Sequence, residues 1–322
     1  IPIAEQYMNA GDYLVGDLDR NPAEVLNSMK ATISRIGDFN QDEVFASVQF
    51  DLFDMEGGQA VAIVGGEWRD IFYSDQYDSL SEGGVIGGSA GNSAGGGRQA
   101  KAAFIESVFP VLDELEITAA LRYDSYSDYG SDVSPKVSLR YTPTDEIVIR
   151  ASYGEGFRAP TLDILTQKDS FSADSVRDVQ HCIAIGAAPT CSDQINAYSI
   201  ANPFLESETS TQYAMGFAYE VTDWLDFSLD YFNIQINNRI KSFGSGELIN
   251  LQNLGLSLPA GMSVVRNQFG EIEEVVRGYG NQGELETSGF DLNLNSRLDL
   301  NEFGALRSNL TLSYTQKYDV DG

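Results

Sequence analysis

His181 and Cys182 are adjacent, and Cys191 follows with IAIGAAPT between the two cysteines. An imidazole and two thiolates bind zinc, but three ligands fall short of the four in a closed structural site. Two cysteines this close within one polar segment, Cys182 and Cys191, read instead as a local disulfide formed in an oxidising compartment. A second cluster is acidic: Asp124, Asp128 and Asp132 recur around SYSDYG. Carboxylate oxygens suit calcium, yet aspartates here also form turns without an ion, and no metal site is assigned. The single histidine excludes most His-dependent triads, and no G-x-S-x-G occupies a strand-to-helix turn. GEGFR at 154–158 leads into a loop and not a helix, which removes a dinucleotide reading. The chain is not read as an enzyme, and no cofactor is assigned.

The elements carrying these residues are strands. Leu115, Ile117, Ala119, Leu121 and Tyr123 share one face, opposite Glu116, Thr118, Arg122 and Asp124. Val137, Leu139 and Tyr141 oppose Lys136, Ser138 and Arg140, and Ile147, Ile149, Ala151 and Tyr153 oppose Arg150 and Ser152. Period-2 alternation over such lengths means strands with one apolar and one polar face, as in a membrane β-barrel wall. Composition agrees, with 31 Gly, 16 Tyr and 17 Phe in 322 residues for turns and aromatic girdles. No segment approaches the ~18 apolar residues of a spanning helix. The net charge of −28 excludes nucleic acid as a partner, which would need clustered Lys and Arg.

Residues 1–42 alternate little and read as a loop on the outer side, with a short helix at Pro22–Met29. Strands are expected at Val44–Phe53, Gln59–Tyr73 and Lys101–Phe109, the last stopped by Pro110. Between them SEGGVIGGSAGNSAGGGR at 81–98 should be a mobile loop. After the three strands of 115–160 come Thr211–Glu220, Leu225–Ile240, Gly289–Leu298 and Leu306–Tyr318. The phase of Leu225–Ile240 slips near Tyr231–Phe232, which implies a bulge or a portion raised above the membrane. A hairpin is placed around Phe269-Gly270, and GEIEEV at 270–275 reads as solvated. Trp68 and Trp224 are placed near strand ends as interface anchors. About ten strands result, within barrel residues 43–318. Short turns fall at 55–58, 110–114, 143–146, 221–224 and 300–304; long connections fall at 74–97, 158–206 and 242–281, and 127–133 is brief. Loop lengths segregated to two sides are the pattern of outer-membrane barrels.

Several boxes then carry a family resemblance. GFRAP at 156–160, NPFLESETSTQYAMGFAYE at 202–220, NQGELETSGFDLNL at 281–294 and YDSYSDYGSDVSPKVSLRY at 123–141 occur in order. Together they resemble the barrel of TonB-dependent outer-membrane receptors over most of residues 98–318. Phe204 stands where Asn or Asp is usual, and Ser207 where Pro is usual. The resemblance implies an all-β fold, an antiparallel meander from a 22-stranded transmembrane barrel. The match has no plug, TonB-contacting box or terminal aromatic strand, so the whole of 1–322 is expected to be a partial barrel domain. It also implies plug-gated uptake of a scarce solute, energised by TonB–ExbB–ExbD through the plug, in a bilayer of outer-membrane lipid and lipopolysaccharide.

Candidate ligand-binding residues are Arg158, Asp163, Asp169, Asp178 and His181. Arg158 could contact an anionic ligand or brace the strand end. His181 lies where haem receptors of this family carry a haem-ligating histidine. Asp163, Asp169, Asp174, Asp178, Asp193 and Glu206 outnumber Arg158, Lys168 and Arg177 in loop 158–206. That excess favours a neutral or cationic solute, an oligosaccharide or peptide, with an iron complex or haem as the other reading. A passive porin, a structural or adhesive barrel, and a soluble all-β binding protein are the alternatives.

Overall fold

The structure, a computed structural model, describes residues 2–86 and 91–320. Helices α1 (Pro2–Ala10) and α2 (Ala23–Ser28) precede β1 (Arg35–Met55), β2 (Gly58–Tyr77), α3 (Ser79–Glu82), β3 (Ala94–Leu112), β4 (Leu115–Tyr126), β5 (Gly130–Thr144) and β6 (Ile147–Arg158). A first long excursion holds α4 (Leu162–Thr166), β7 (Ser170–Val176), α5 (Val179–Ala184) and β8 (Asp193–Ser199). After β9 (Glu208–Thr222) and β10 (Leu225–Asn237), a second holds β11 (Ile240–Ser242), α6 (Ser245–Asn253), β12 (Ser263–Arg266), β13 (Ile272–Arg277) and β14 (Tyr279–Asn281). The chain closes with β15 (Leu285–Asp299) and β16 (Ala305–Val320).

Ten strands form one antiparallel sheet in the order β1-β2-β3-β4-β5-β6-β9-β10-β15-β16. Its edge strands are exposed along nearly their whole length, so the sheet is an open wall and not a closed barrel. Register explains its two faces. Leu115, Tyr141, Ile149, Phe217, Leu229, Leu292 and Leu312 are successive cross-strand partners through seven strands. One residue along, the corresponding row is Glu116, Arg140, Arg150, Gly216, Asp230, Asp291 and Ser313. Because side chains alternate across the pleat, one face is an apolar belt and the other is charged. Val44, Val48, Leu121, Met215, Leu310 and Tyr314 are all exposed on the apolar face. An uncovered apolar surface of this extent is a membrane-contact surface.

The connections segregate as the sequence implies. β1/β2, β3/β4, β5/β6, β9/β10 and β15/β16 are joined at one end by short turns, and the excursions leave from the other. Several local expectations differ. β1 begins at Arg35, within the segment read as a loop. β3 begins at Ala94, inside the Gly/Ser-rich stretch, where residues 94–97 pair with Phe72–Asp75 of β2; Gly96 also lies against Thr166 of α4, where a β-carbon would stand 3.0 Å from Cγ2. Residues 87–90 of that stretch lie outside the described residues. Pro110 does not stop β3, which continues to Leu112 through a register shift that accommodates the missing donor. Trp68 sits well inside β2 and pairs with Val44 and Lys101, whereas Trp224 lies in the β9/β10 turn. No bulge interrupts β10 at Tyr231–Phe232: its register with β15 runs unbroken from Leu225 to Ile236. Its apolar-face positions instead change from Phe227, Leu229 and Tyr231 to Asn233, Gln235 and Asn237, the pattern of a strand leaving the bilayer.

The excursions are not irregular. They combine into a four-stranded sheet of order β12-β13-β8-β7, in which β13 pairs β8 in parallel. Val176, Ile195, Phe243, Leu248, Ile249, Met262, Val264 and Val275 form its core. The hairpin around Phe269-Gly270 is present as β12/β13, but Val275 at the end of GEIEEV is fully buried and not solvated.

Candidate functional site

The charged face and the cap built from the two excursions frame the candidate site. Asparagines within the sequence boxes tie the roots of the excursions together. Asn281 Nδ2 donates to the Glu206 and Asn238 carbonyls at 2.9 and 3.0 Å, and its Oδ1 accepts from the Glu206 amide at 2.9 Å. Asn202 Nδ2 donates to the Tyr279 carbonyl at 2.7 Å. Ser207, where the family carries Pro, donates its hydroxyl to Asp132 Oδ1 at 2.7 Å. Arg158 Nε stands 2.5 Å from Glu208 Oε2, and the other oxygen of Glu208 accepts the Ile240 amide at 2.6 Å. Arg158 thus braces β6 against β9 at the rim.

The other sequence candidates separate. Asp163 lies in α4, over the charged face beside Tyr73 and Leu162. Asp169 is exposed just ahead of β7. Asp178 is 2% exposed and accepts from Arg266 Nη1 at 2.5 Å and Asn253 Nδ2 at 3.0 Å. It also caps α5 by accepting the His181 amide at 3.3 Å. Burial opposes its charge, but the hydrogen bonds from Arg266 and Asn253 prevail and hold the carboxyl below its ordinary range. His181 is half-buried and lines a cleft of about 250 Å³ with Asp193, Gln194 and Glu271. Cys182 and Cys191 are disulfide-bonded, with Cα atoms 5.9 Å apart.

The three aspartates of the β4/β5 hairpin point to different partners. Asp124 pairs with Arg122 at 2.8 Å, Asp128 with Arg98 at 2.6 Å, and Asp132 accepts the Tyr129 hydroxyl at 2.8 Å. Burial, and then the hydrogen bond to Asp132, raise the Tyr129 phenol well above its ordinary value. No group of three His, Cys, Asp or Glu side chains that could hold a metal ion occurs among the described residues. Arg98, which sequence reasoning missed, is a hub. It is 7% exposed, donates to the Pro160 carbonyl at 2.7 Å, and lies 5.4 and 5.6 Å from the Tyr126 and Tyr129 ring centres. Its signal in the sequence was only a lone cation on the polar face of β3.

An antiparallel wall with one lipid-type face, one charged face and a folded cap on its long-loop side defines an outer-membrane β-barrel receptor segment. The chain belongs to the family described as TonB dependent receptor-like, beta-barrel, which it matches over residues 6–322. It is 26% identical over 191 residues to the ferric enterobactin receptor of Pseudomonas aeruginosa, covering 58% of this chain and 24% of that protein. It is 29% identical over 142 residues to the hemin receptor of Yersinia pestis, covering 40% of this chain and 19% of that protein. The fold resembles a crystal structure of a mutant ferric enterobactin receptor from P. aeruginosa, with TM-score 0.63, 19% identity and coverage of 87% of this chain and 36% of the other. It also resembles the siderophore receptor PirA from Acinetobacter baumannii, with TM-score 0.60, 16% identity and coverage of 88% and 37%. The chain spans about a quarter of the length of the curated relatives it matches.

Proposed function

We propose that this chain is the central wall and outer cap of a receptor that imports an iron chelate, siderophore-bound iron or haem, across the outer membrane. The observation that carries the reading is the family match over a wall whose two longest connections close into one cap above its charged face. The names of the relatives, ferric enterobactin and hemin receptors, support the ligand class. The acidic excess of loop 158–206 weighs less against an iron chelate than its count suggests. Asp178 is matched by Arg266, and Asp174 by Arg277 at 3.4 Å.

In this reading the whole protein closes into a 22-stranded barrel, a plug fills it, and TonB–ExbB–ExbD drives uptake through that plug. Lipid and lipopolysaccharide contact the apolar face. Residues 2–34 lie on the outer side and run into β1, whose Arg35 pairs with Tyr77 at the long-loop end of β2. Asp163, Asp169 and His181 face the solute from the cap, while Arg158 and Asp178 hold the cap in place.

The test is radiolabelled iron uptake by the source bacterium with and without the gene, under iron limitation. Uptake of one ferric siderophore or of haem should be lost without the gene, restored by the full-length gene, and lost again when TonB is removed. Unchanged iron uptake together with lost uptake of an oligosaccharide or peptide would overturn the ligand class, and TonB-independent passage would overturn the mechanism.

A further inference from the structure

We propose that the cavity between α4 and the upper charged face is a subsite for an aromatic ring carrying a cationic or N–H donor group. The cavity measures about 400 Å³ and is lined by Phe39, Ile71, Tyr73, Arg98, Leu162 and Asp163, with Thr161 at its edge. This deepens the solute-receptor reading and rests on it.

The cavity opens to solvent past Phe39 and Asp163, which are exposed, and is built from a roof and a floor. Its roof, α4, is held from two directions. Lys168 pairs with Glu82 at 2.9 Å, Asn92 donates to Gln167 at 2.9 Å, and the Lys168 amide donates to the Ser93 carbonyl at 2.7 Å. On the other side Gln167 donates to the Ile200 carbonyl at 2.6 Å, and the Asn202 amide donates to the Ile164 carbonyl at 3.1 Å. Thr166 rests on Gly96, so the roof approaches the wall as closely as a missing side chain allows. The floor is Tyr73, whose hydroxyl reaches Asp75 Oδ2 at 3.4 Å, and Arg35 grips Asp75 at 2.7 and 2.5 Å.

Charge sets the ligand class. The two cations beside the cavity are already neutralised, Arg98 by Asp128 and Arg35 by Asp75. Among the described residues Asp163 has no cation within ion-pair distance. The cavity therefore combines aromatic and aliphatic walls with one unmatched carboxylate. That arrangement suits a flat apolar ring bearing a positive or donor nitrogen, through stacking and a charge-assisted hydrogen bond. A ring bearing a carboxylate meets Asp163 as a like charge.

The test uses the full-length receptor in detergent and two probes that share a ring and differ in charge, tryptamine and indole-3-acetate, titrated by calorimetry. Tryptamine should bind more tightly than indole-3-acetate by tenfold or more. Asp163→Asn should abolish most of that preference, and Tyr73→Leu should weaken both probes. Glu273→Gln, on the exposed side of the cap sheet, should change neither. Equal binding of the two probes, absence of tryptamine binding, or a preference that survives Asp163→Asn would each overturn the subsite. Iron uptake is not the readout, so failure of the transport reading and failure of this site remain distinguishable.

Discussion

Arg150 on β6 and Asp230 on β10 form a two-pronged ion pair over an intervening strand, with N···O distances of 2.8 and 2.6 Å. They meet because their shared register partner on β9 is Gly216, where a β-carbon would overlap both side chains. The same device recurs on β2. Phe45 and Phe104, on the strands flanking Gly65, stack with ring centres 5.9 Å apart, and a β-carbon on Gly65 would enter the Phe104 ring. In each case the missing side chain couples strands that do not hydrogen-bond to each other.

Gly216→Ala should therefore act through the ion pair and not through the backbone. The atoms in its way belong to side chains and not to backbone, Asp230 Oδ1 with Arg150 Nε and Cγ, so both side chains must move aside. The pair is partly exposed, so its loss costs about 1 kcal/mol or less. Asp230→Ala should cost about as much, and the double variant little more than either single one. A double-mutant cycle of unfolding in detergent reads this coupling; full additivity would mean the two changes act independently.

Asp178 and Arg266 give the cap a defined acid limit. A carboxyl held below its ordinary pKa stabilises the fold above the unfolded value of about 3.9, and this contribution disappears as pH falls through the folded value. Asp174 shifts in the same direction: burial resists its charge, but hydrogen bonds from Ser172 and Ser245 overcome it. Protection of the β8 and β13 amides, taken against their intrinsic exchange rate at each pH, should hold from neutral pH to about 4 and fall below it, while the wall strands stay protected. Arg266→Ala leaves a buried carboxylate without its cation and should cost the cap about 3–5 kcal/mol at neutral pH. Unchanged exchange in that variant would show that the pair is dispensable.

The disulfide should act locally. It links residues nine apart, and closing so short a loop is worth roughly 2–3 kcal/mol in chain entropy. Cys182→Ser with Cys191→Ser should loosen α5 and the start of β8, seen as faster proteolysis there. The melting of the wall should not move, because no wall strand lies within the closed loop.

The wall was legible in the sequence because its chemistry is local. Ile147, Ile149 and Ala151 announce their face by alternation alone, and PTDE at 143–146 and NEFG at 301–304 announce two of the short turns. The cap was not legible, since Val176 and Ile195 find Phe243, Leu248 and Val275 only when two distant excursions meet, and a parallel pairing leaves no hairpin signal. Val275 follows Glu273 and Glu274, so its neighbours read as solvent-facing while its own side chain is buried. The candidate site was half legible. Asp163 lines a cavity and Arg158 sits at the rim, but Asp178 looked like free charge because its partner lies 88 residues away. The phase slip in β10 was a true signal with two readings, and only register distinguishes them.

Arg98 should prove to be the tie that seats the first excursion. It joins β3 to the β4/β5 turn through Asp128 and to the root of the excursion through the Pro160 carbonyl. Arg98→Lys keeps the charge but cannot make both contacts with one planar fork. Losing a hydrogen bond to a charged partner costs about 1.5–3 kcal/mol. Part of that should be recovered by water at Asp128, whose side chain is 21% exposed, while the Pro160 carbonyl stays enclosed. The expected result is faster hydrogen exchange through α4 and the β4/β5 turn, with β7, β8, β12 and β13 unchanged because they share a core that Arg98 does not touch. If the cap sheet loosened together with α4, the root would instead be held by the cap, and the asparagine ties at Asn202 and Asn281 would be its main support.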